Sequence, residues 1–409
     1  IAWMITATIF VLMMTPGLSF FYGGMVRSKN VISTMLQSFI AMGVISVIWV
    51  VVGFSLAFGE DVGHFIGNPG TFFMFVNVGG ATDKLLAPTI PLALYALFQM
   101  KFAIITPSLI TGSFAERVRF SGYLVFMILF CIFVYCPLAH WTWHPDGFLR
   151  QMGVLDFAGG IVVHASSGVA ALAGAIFLGR RKESGQPANI PFVLLGAAML
   201  WLGWFGFNAG SSLAANSIAV KAFLNTNTAS ATAMMTWVVF DCLRGRKPSA
   251  MGAAIGAVVG LVAITPSAGY VTVGESIFIA LVVTVICNMA VSWKNKKNSF
   301  DDALDVFPTH GVGGIVGTIM TGIFVYNATE NITYWQNLLN HIIAVVIVCG
   351  YTFIVTYALY WITDKMIPMR VSEKSEKIGL DISQHDARYG IETNRELAEY
   401  FDHGVDTKS

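Results

Sequence analysis

The sequence predicts an all-α integral membrane protein, and three observations carry that expectation. Of 409 residues, 56% are hydrophobic and 11% are charged, whereas a soluble globular chain carries about 25% charge. The apolar residues gather in runs of about 20, the length that crosses a bilayer as a helix. Lysine and arginine fall in alternate connections between those runs. Strands would need shorter, alternating segments, so helices are the expected form. The net charge of +1 with scattered basic residues builds no nucleic-acid face. The five cysteines, Cys131, Cys136, Cys242, Cys287 and Cys349, lie in or beside apolar runs without paired metal spacing and read as packing residues.

Spanning stretches fall near 1–25, 31–58, 88–114, 119–139, 155–179, 190–212, 218–243, 249–267, 270–293, 306–326 and 337–367, eleven in all. Arg27 and Lys29, Arg117 and Arg119, Arg180 to Lys182, Arg244 to Lys247 and Lys294 to Lys297 occupy alternate loops, and with Lys365 at the end of the last span and the C-terminal tail they hold 20 of the 24 basic residues. The positive-inside rule then puts the N-terminus outside and the C-terminus in the cytoplasm of a plasma or inner membrane. Ile1 already lies in an apolar run, so an initiator or leader is expected upstream. The chain divides into a transmembrane domain, 1–367, and a cytoplasmic C-terminal region, 368–409.

An internal repeat joins each span to the fifth one after it. Ile105-Thr106-Pro107-Ser108 returns as Ile264-Thr265-Pro266-Ser267, Phe21-Tyr22-Gly23-Gly24 echoes the glycine-aromatic run of the sixth span, and an Asp/His pair recurs. Five is odd, so the second copy enters the membrane inverted, with the eleventh span outside the repeat. Gly252, Gly256 and Gly260 form a small-residue ridge, and Gly168 and Gly174 bracket an alanine-rich face, both suited to close helix contact. Asn327 and Asn331 fit the glycosylation pattern.

The Asp/His pairs are the candidate site. Asp156 and His164 sit in Val154 to Ala170, and Asp305 and His310 in Asp-Val-Phe-Pro-Thr-His-Gly. Ionisable groups at membrane depth are expensive and mark pathways by default. A single membrane histidine is more often an interhelical hydrogen bond, but two at repeat-related positions favour a shared role. No nucleophile set, metal cluster or phosphate loop suggests an enzyme, and no cofactor is implied.

Phe21-Tyr22-Gly23-Gly24-Met25-Val26-Arg27-Ser28-Lys29-Asn30, Ala115-Glu116-Arg117-Val118-Arg119-Phe120-Ser121, Leu155-Asp156-Phe157-Ala158-Gly159-Gly160, Gly203-Trp204-Phe205-Gly206-Phe207-Asn208-Ala209-Gly210-Ser211 and Asp305-Val306-Phe307 through His310-Gly311 resemble the Amt/MEP/Rh ammonium transporter family, on the Amt branch. The matches run from the first span to the tail. The resemblance implies a homotrimer of eleven-helix subunits, each with its own pore, and ammonium or ammonia as cargo.

It also implies roles. Trp143 and Ser211 would form the outer vestibule, with Phe98 and Asp156, the tryptophan attracting a cation through its π face. Phe102 and Phe207 would stack as the apolar gate. His164 and His310 would be the twin pore histidines, which offer one donor and one acceptor each when neutral and so could pass a proton while ammonia crosses. Asp156 would act indirectly by accepting backbone hydrogen bonds, and Asp305 would be a structural cap. Ammonium and potassium are alike in size and charge, so selection needs hydrogen-bond donors or loss of the proton.

Two stretches depart from the family pattern. Lys101 stands about halfway through the third span, and a charged, unpaired lysine there costs a few kcal/mol. It either snorkels or places a resident cation near the pore or a subunit interface and modifies conduction. The tail motif Gly379 to Asp386 carries Asp386-Ala387 where Gly-Glu is common, and Thr393 with Glu396 has capping-box spacing. Two functions follow: an ammonium transporter or channel, open to a PII-type regulator, or an ammonium sensor that conducts poorly and signals through its C-terminal region or a fused signalling domain.

Overall fold

The computed structural model describes residues 1–297, 299–325 and 332–390, so the Asn327 and Asn331 motifs and the Thr393–Glu396 capping box lie outside the described residues. The chain runs through α1 (Ala2–Met25), α2 (Val31–Ile48), α3 (Phe54–Phe58), α4 (Leu92–Ile110), α5 (Phe120–Phe130), α6 (Cys136–Trp143), α7 (Phe148–Gln151) and α8 (Ser166–Leu178). It continues through α9 (Ile190–Gly210), α10 (Ser217–Leu243), α11 (Ala250–Ile264), α12 (Val273–Lys297), α13 (Val312–Phe324), α14 (Tyr334–Met366), α15 (Glu373–Ile378) and α16 (Leu380–His385). Two small antiparallel hairpins occupy the long 59–91 connection.

Helix starts follow from side-chain caps. The Asn189 carboxamide accepts from Phe192 N at 3.0 Å to open α9, Asn216 does the same for α10, and Ser249 for α11. Helix ends follow from backbone: Gly179, at φ 70°, stops α8 in a conformation that side chains resist.

Among the described residues, eight helices are long and apolar enough to cross a membrane, and α11 is apolar but shorter. The α10 stretch falls outside that group because it is polar within, and its Asn225 amide donates to the carbonyls of Ala268 and Val271 at 2.9 and 2.7 Å. The tenth stretch is divided by a π-helical turn, Phe307–Gly311, before α13. A matching turn, Gly160–Ala165, precedes α8. Such π-turns are rare and collect at functional sites.

Glycine sets the closest approaches. A Cβ on Gly168 would lie 2.0 Å from Gly311 N, so only a bare backbone lets α8 meet the 307–311 turn. Gly256 and Gly260 seat α11 on α10, against Trp237 and the Ala229 carbonyl.

The basic loops meet at one end of the molecule. Glu116, 1% exposed, bridges Arg27 at 3.1 Å and Arg181 at 3.2 Å, and Arg181 also pairs with Asp301 at 2.9 Å. Burial works to raise the Asp301 carboxyl, but the Arg181 hydrogen bond and the Arg117 charge pull it to about 2. Helices α15 and α16 dock here too: Asp381 accepts from Ile32 N at 3.0 Å and Ser33 N at 2.7 Å, holding the start of α2. Burial pushes Asp381 up to about 6, against those backbone donors.

Candidate functional site

Two π-turns carry the two histidines, and each turn is held by an aspartate eight residues before its histidine. Asp156 is almost fully buried and accepts four backbone N–H groups: Gly159 at 2.9 Å, Gly160 at 2.6 Å, Ile161 at 2.9 Å and Val162 at 3.3 Å. A carboxylate with that many donors locks the entry to the turn. In the second turn the corresponding group is Asp302, which accepts from Phe307 N at 2.8 Å.

Asp305 does something else. Its Oδ1 lies 2.5 Å from Lys294 Nζ, while Lys294 donates to the Asp302 carbonyl at 2.6 Å. The capping role expected of Asp305 therefore belongs to Asp302, and Asp305 is an ion-pair partner. The eight-residue spacing shared by Asp156–His164 and Asp302–His310 is the signal in the sequence that marks this residue.

The turns bring His164 and His310 together, Nδ1 to Nδ1 at 3.3 Å, with ring centroids 5.4 Å apart. A hydrogen bond between those atoms needs one nitrogen with a proton and one without, so the pair does not carry protons on both at once. Both rings are buried. They border a narrow space of about 10 Å³ whose other walls include Leu18, Ile105, Leu109, Trp204 and Phe207. That is room for about one water-sized molecule.

A file of aromatic rings leads to this pair. Trp143 meets Phe102 edge-on at 5.8 Å, Phe102 stacks on Phe207 at 4.1 Å and 19°, and Phe207 lies 6.0 Å from His164. The indole N–H of Trp143 donates to the Asp156 carbonyl at 2.9 Å, tying the two. Ser211 Oγ donates to the Phe207 carbonyl at 2.8 Å, one turn before it on α9. Phe98 is buried 5.0 Å from Phe102 and packs where Gly210 leaves space for its ring.

Trp204 is a site residue that the sequence alone does not single out. It stacks on His164 at 5.2 Å and 17°, and its N–H donates to Thr265 Oγ1 at 2.9 Å. Its position three residues before Phe207, on the same helical face, is the one clue to it.

Lys101 lies off the ring file. It is half-buried one turn below exposed Leu97, on the outward side of α4, with its Nζ 3.6 Å from Met100 Sδ.

Residues 2–389 match the family model described as the Ammonium Transporter Family. The chain belongs to the ammonium transporter family. Among relatives of this family, the putative ammonium transporter of Methanothermobacter thermautotrophicus is 45% identical over 395 residues, covering 94% of this chain and 96% of that one. The crystal structure of Candida albicans Mep2 superposes with a TM-score of 0.86 at 32% identity, covering 99% of this chain and 91% of that one. A solved sensor Amt protein gives 0.87 at 30% identity, covering 94% and 97%. The chain is thus an integral membrane helical transporter of this family and not an enzyme.

Proposed function

We propose that this protein is an ammonium transporter that binds the cation at the Trp143 end and passes ammonia and a proton separately past His164 and His310. The observation that carries this reading is the 3.3 Å Nδ1–Nδ1 approach directly behind the Phe102–Phe207 stack.

The steps follow from the residues. A cation approaching Trp143 and Ser211 meets a π face and a hydroxyl oxygen, while the carboxylate of Asp156 adds favourable charge without contact because its oxygens are taken by backbone N–H groups. The stacked phenylalanines exclude water, so a charged species entering the narrow space loses its hydration, at a cost the neutral form avoids. The proton is left to the imidazole pair, whose donor and acceptor nitrogens can exchange roles, and ammonia crosses the apolar walls. In this reading the working unit is a homotrimer of eleven-span subunits built from two inverted five-helix repeats. The N-terminus is outside and the C-terminal region is cytoplasmic, open to a PII-type regulator.

The test is ammonium-driven current in proteoliposomes. The His164→Ala and His310→Ala variants are expected to lose charge movement by at least about ten-fold, with potassium still excluded. Unchanged ammonium current in both folded variants would overturn the reading.

One observation favours a second reading, an ammonium sensor acting through residues beyond α14. The cation of Lys101 sits in a spanning helix with a thioether as its described contact, and the fold is shared with a sensor Amt protein. Lys101→Ser is expected to raise the current if that lysine suppresses conduction, and an unchanged current in an intact oligomer would remove this reading's support.

A further inference from the structure

The ring file and its histidines face inward, but the second π-turn has a back surface as well. There a cleft of about 340 Å³ opens between α12 and the 307–311 turn. Its walls are Ile286, Met289, Ala290 and Trp293 along one face of α12, with Phe307 and Pro308 opposite. Met289 and Trp293 are half exposed, at 55% and 51%. Phe300 bridges the mouth, with its ring 6.4 Å from Trp293 and 6.3 Å from Phe307.

The same α12 face continues into charge. Lys296 and Lys297 follow Trp293 by three and four residues and so project from the end of the cleft. Both are exposed, and neither makes an ion pair among the described residues, whereas neighbouring Lys294 is buried against Asp305. Arg244 and Arg246 are held by Asn288, Ser292 and Asp241.

We propose that this cleft is a binding site for one anionic phospholipid, with an acyl chain along α12 and the phosphate on Lys296 and Lys297. Dimensions and charge both point there. From Ile286 to Lys297 the helix rises about 16 Å, which matches one leaflet of a hydrocarbon core about 30 Å thick. The cleft itself runs from Ile286 to Trp293, about 10 Å, and its volume over that length makes a slot about 6 Å wide, narrower than a second copy's helix at about 10 Å. The lysines lie where the acyl chain would meet its headgroup, and an anionic phosphate supplies the ion-pair partner they lack among the described residues.

The floor of the site is Phe307-Pro308, in the turn that carries His310. The site does not depend on the identity of the cargo, so its failure and that of the transport reading are separable.

The test uses the full chain in nanodiscs containing bromine-labelled phosphatidylglycerol or phosphatidylcholine. Trp293 fluorescence is isolated as the difference from Trp293→Phe. Phosphatidylglycerol is expected to quench Trp293 with about 25-fold preference, from two lysines worth about five-fold each near a charged headgroup. The Lys296→Gln/Lys297→Gln pair is expected to abolish the preference, and Ala290→Phe, which fills the slot without altering charge, to abolish chain-dependent quenching. Equal quenching by both lipids, a preference that survives the lysine replacements, or no quenching because a second copy covers the cleft would each overturn the proposal.

Discussion

The two histidine-bearing turns share a spacing and differ in how they are held. The Gly160–Ala165 turn is fastened from one side by a single carboxylate with four backbone donors, entered through Gly159 at φ 113°. The Phe307–Gly311 turn divides its restraint among several groups. Asp302 holds Phe307 N, Lys294 joins the Asp302 carbonyl to the Asp305 carboxylate, and Pro308 restricts the backbone. One turn stands on a concentrated hydrogen-bond network and the other on a distributed one. A concentrated network fails as a unit when its one charge is removed, whereas a distributed one keeps some of its restraints.

The largest expected effect falls where the two turns meet. Gly168→Leu would drive a side chain into the Gly311 backbone, since a Cβ there already lies 2.0 Å from Gly311 N and 2.2 Å from its Cα. Neither backbone can yield, so a loss of about 4 kcal/mol or more is expected, read as a collapse of the thermal transition in detergent. Gly174→Ala sharpens the point. There the added carbon meets the hydroxyl end of Tyr360 at 2.5 Å, a side chain and not a backbone, though one stacked on Phe126 and bonded to the Ala170 carbonyl, and a loss of about 1–3 kcal/mol is expected.

Next is the contrast between the aspartates. Asp156→Ala leaves four buried N–H groups without an acceptor and is expected to cost about 3–5 kcal/mol. Asp302→Ala, with one strong backbone bond lost and the Lys294–Asp305 pair retained, is expected to cost about 1–3 kcal/mol. Paired melting curves check this, and equal losses would break the distinction between concentrated and distributed support.

A smaller effect lies at the basic end. Asp301 sits at about 2 when folded, below the ordinary aspartate value of about 3.9. Its contribution is therefore complete above about pH 4 and is lost as pH falls through about 2, amounting to roughly 2 kcal/mol. Melting curves between about pH 5 and pH 2 should show the loss, and Asp301→Asn should remove that pH dependence.

Much of the site is legible in the linear order of residues. His164 and His310 are marked by being ionisable in apolar runs, Phe207 by the motif around it, and Phe102 through the role that the family resemblance implies. Asp302 is hidden because Asp305 lies nearer its histidine, and adjacency draws attention away from the eight-residue interval that matches the first pair. Trp204 is hidden because an apolar aromatic in a membrane segment has no charge to betray it. For Lys101 the sequence leaves the pore and a subunit interface both open, and the structure sets it half-buried beside exposed Leu97 and outside the lining of the space that His164 and His310 border.

Composition and run length determined the class of this protein by themselves, because a chain this apolar has few soluble ways to satisfy its backbone, and helices do so within each segment. Tertiary structure decided which polar groups meet. The 3.3 Å between two nitrogens 146 residues apart depends on Gly168 admitting Gly311, and on two carboxylates bending the chain before each histidine. Contacts of that kind arise from packing in three dimensions, which local periodicity does not encode.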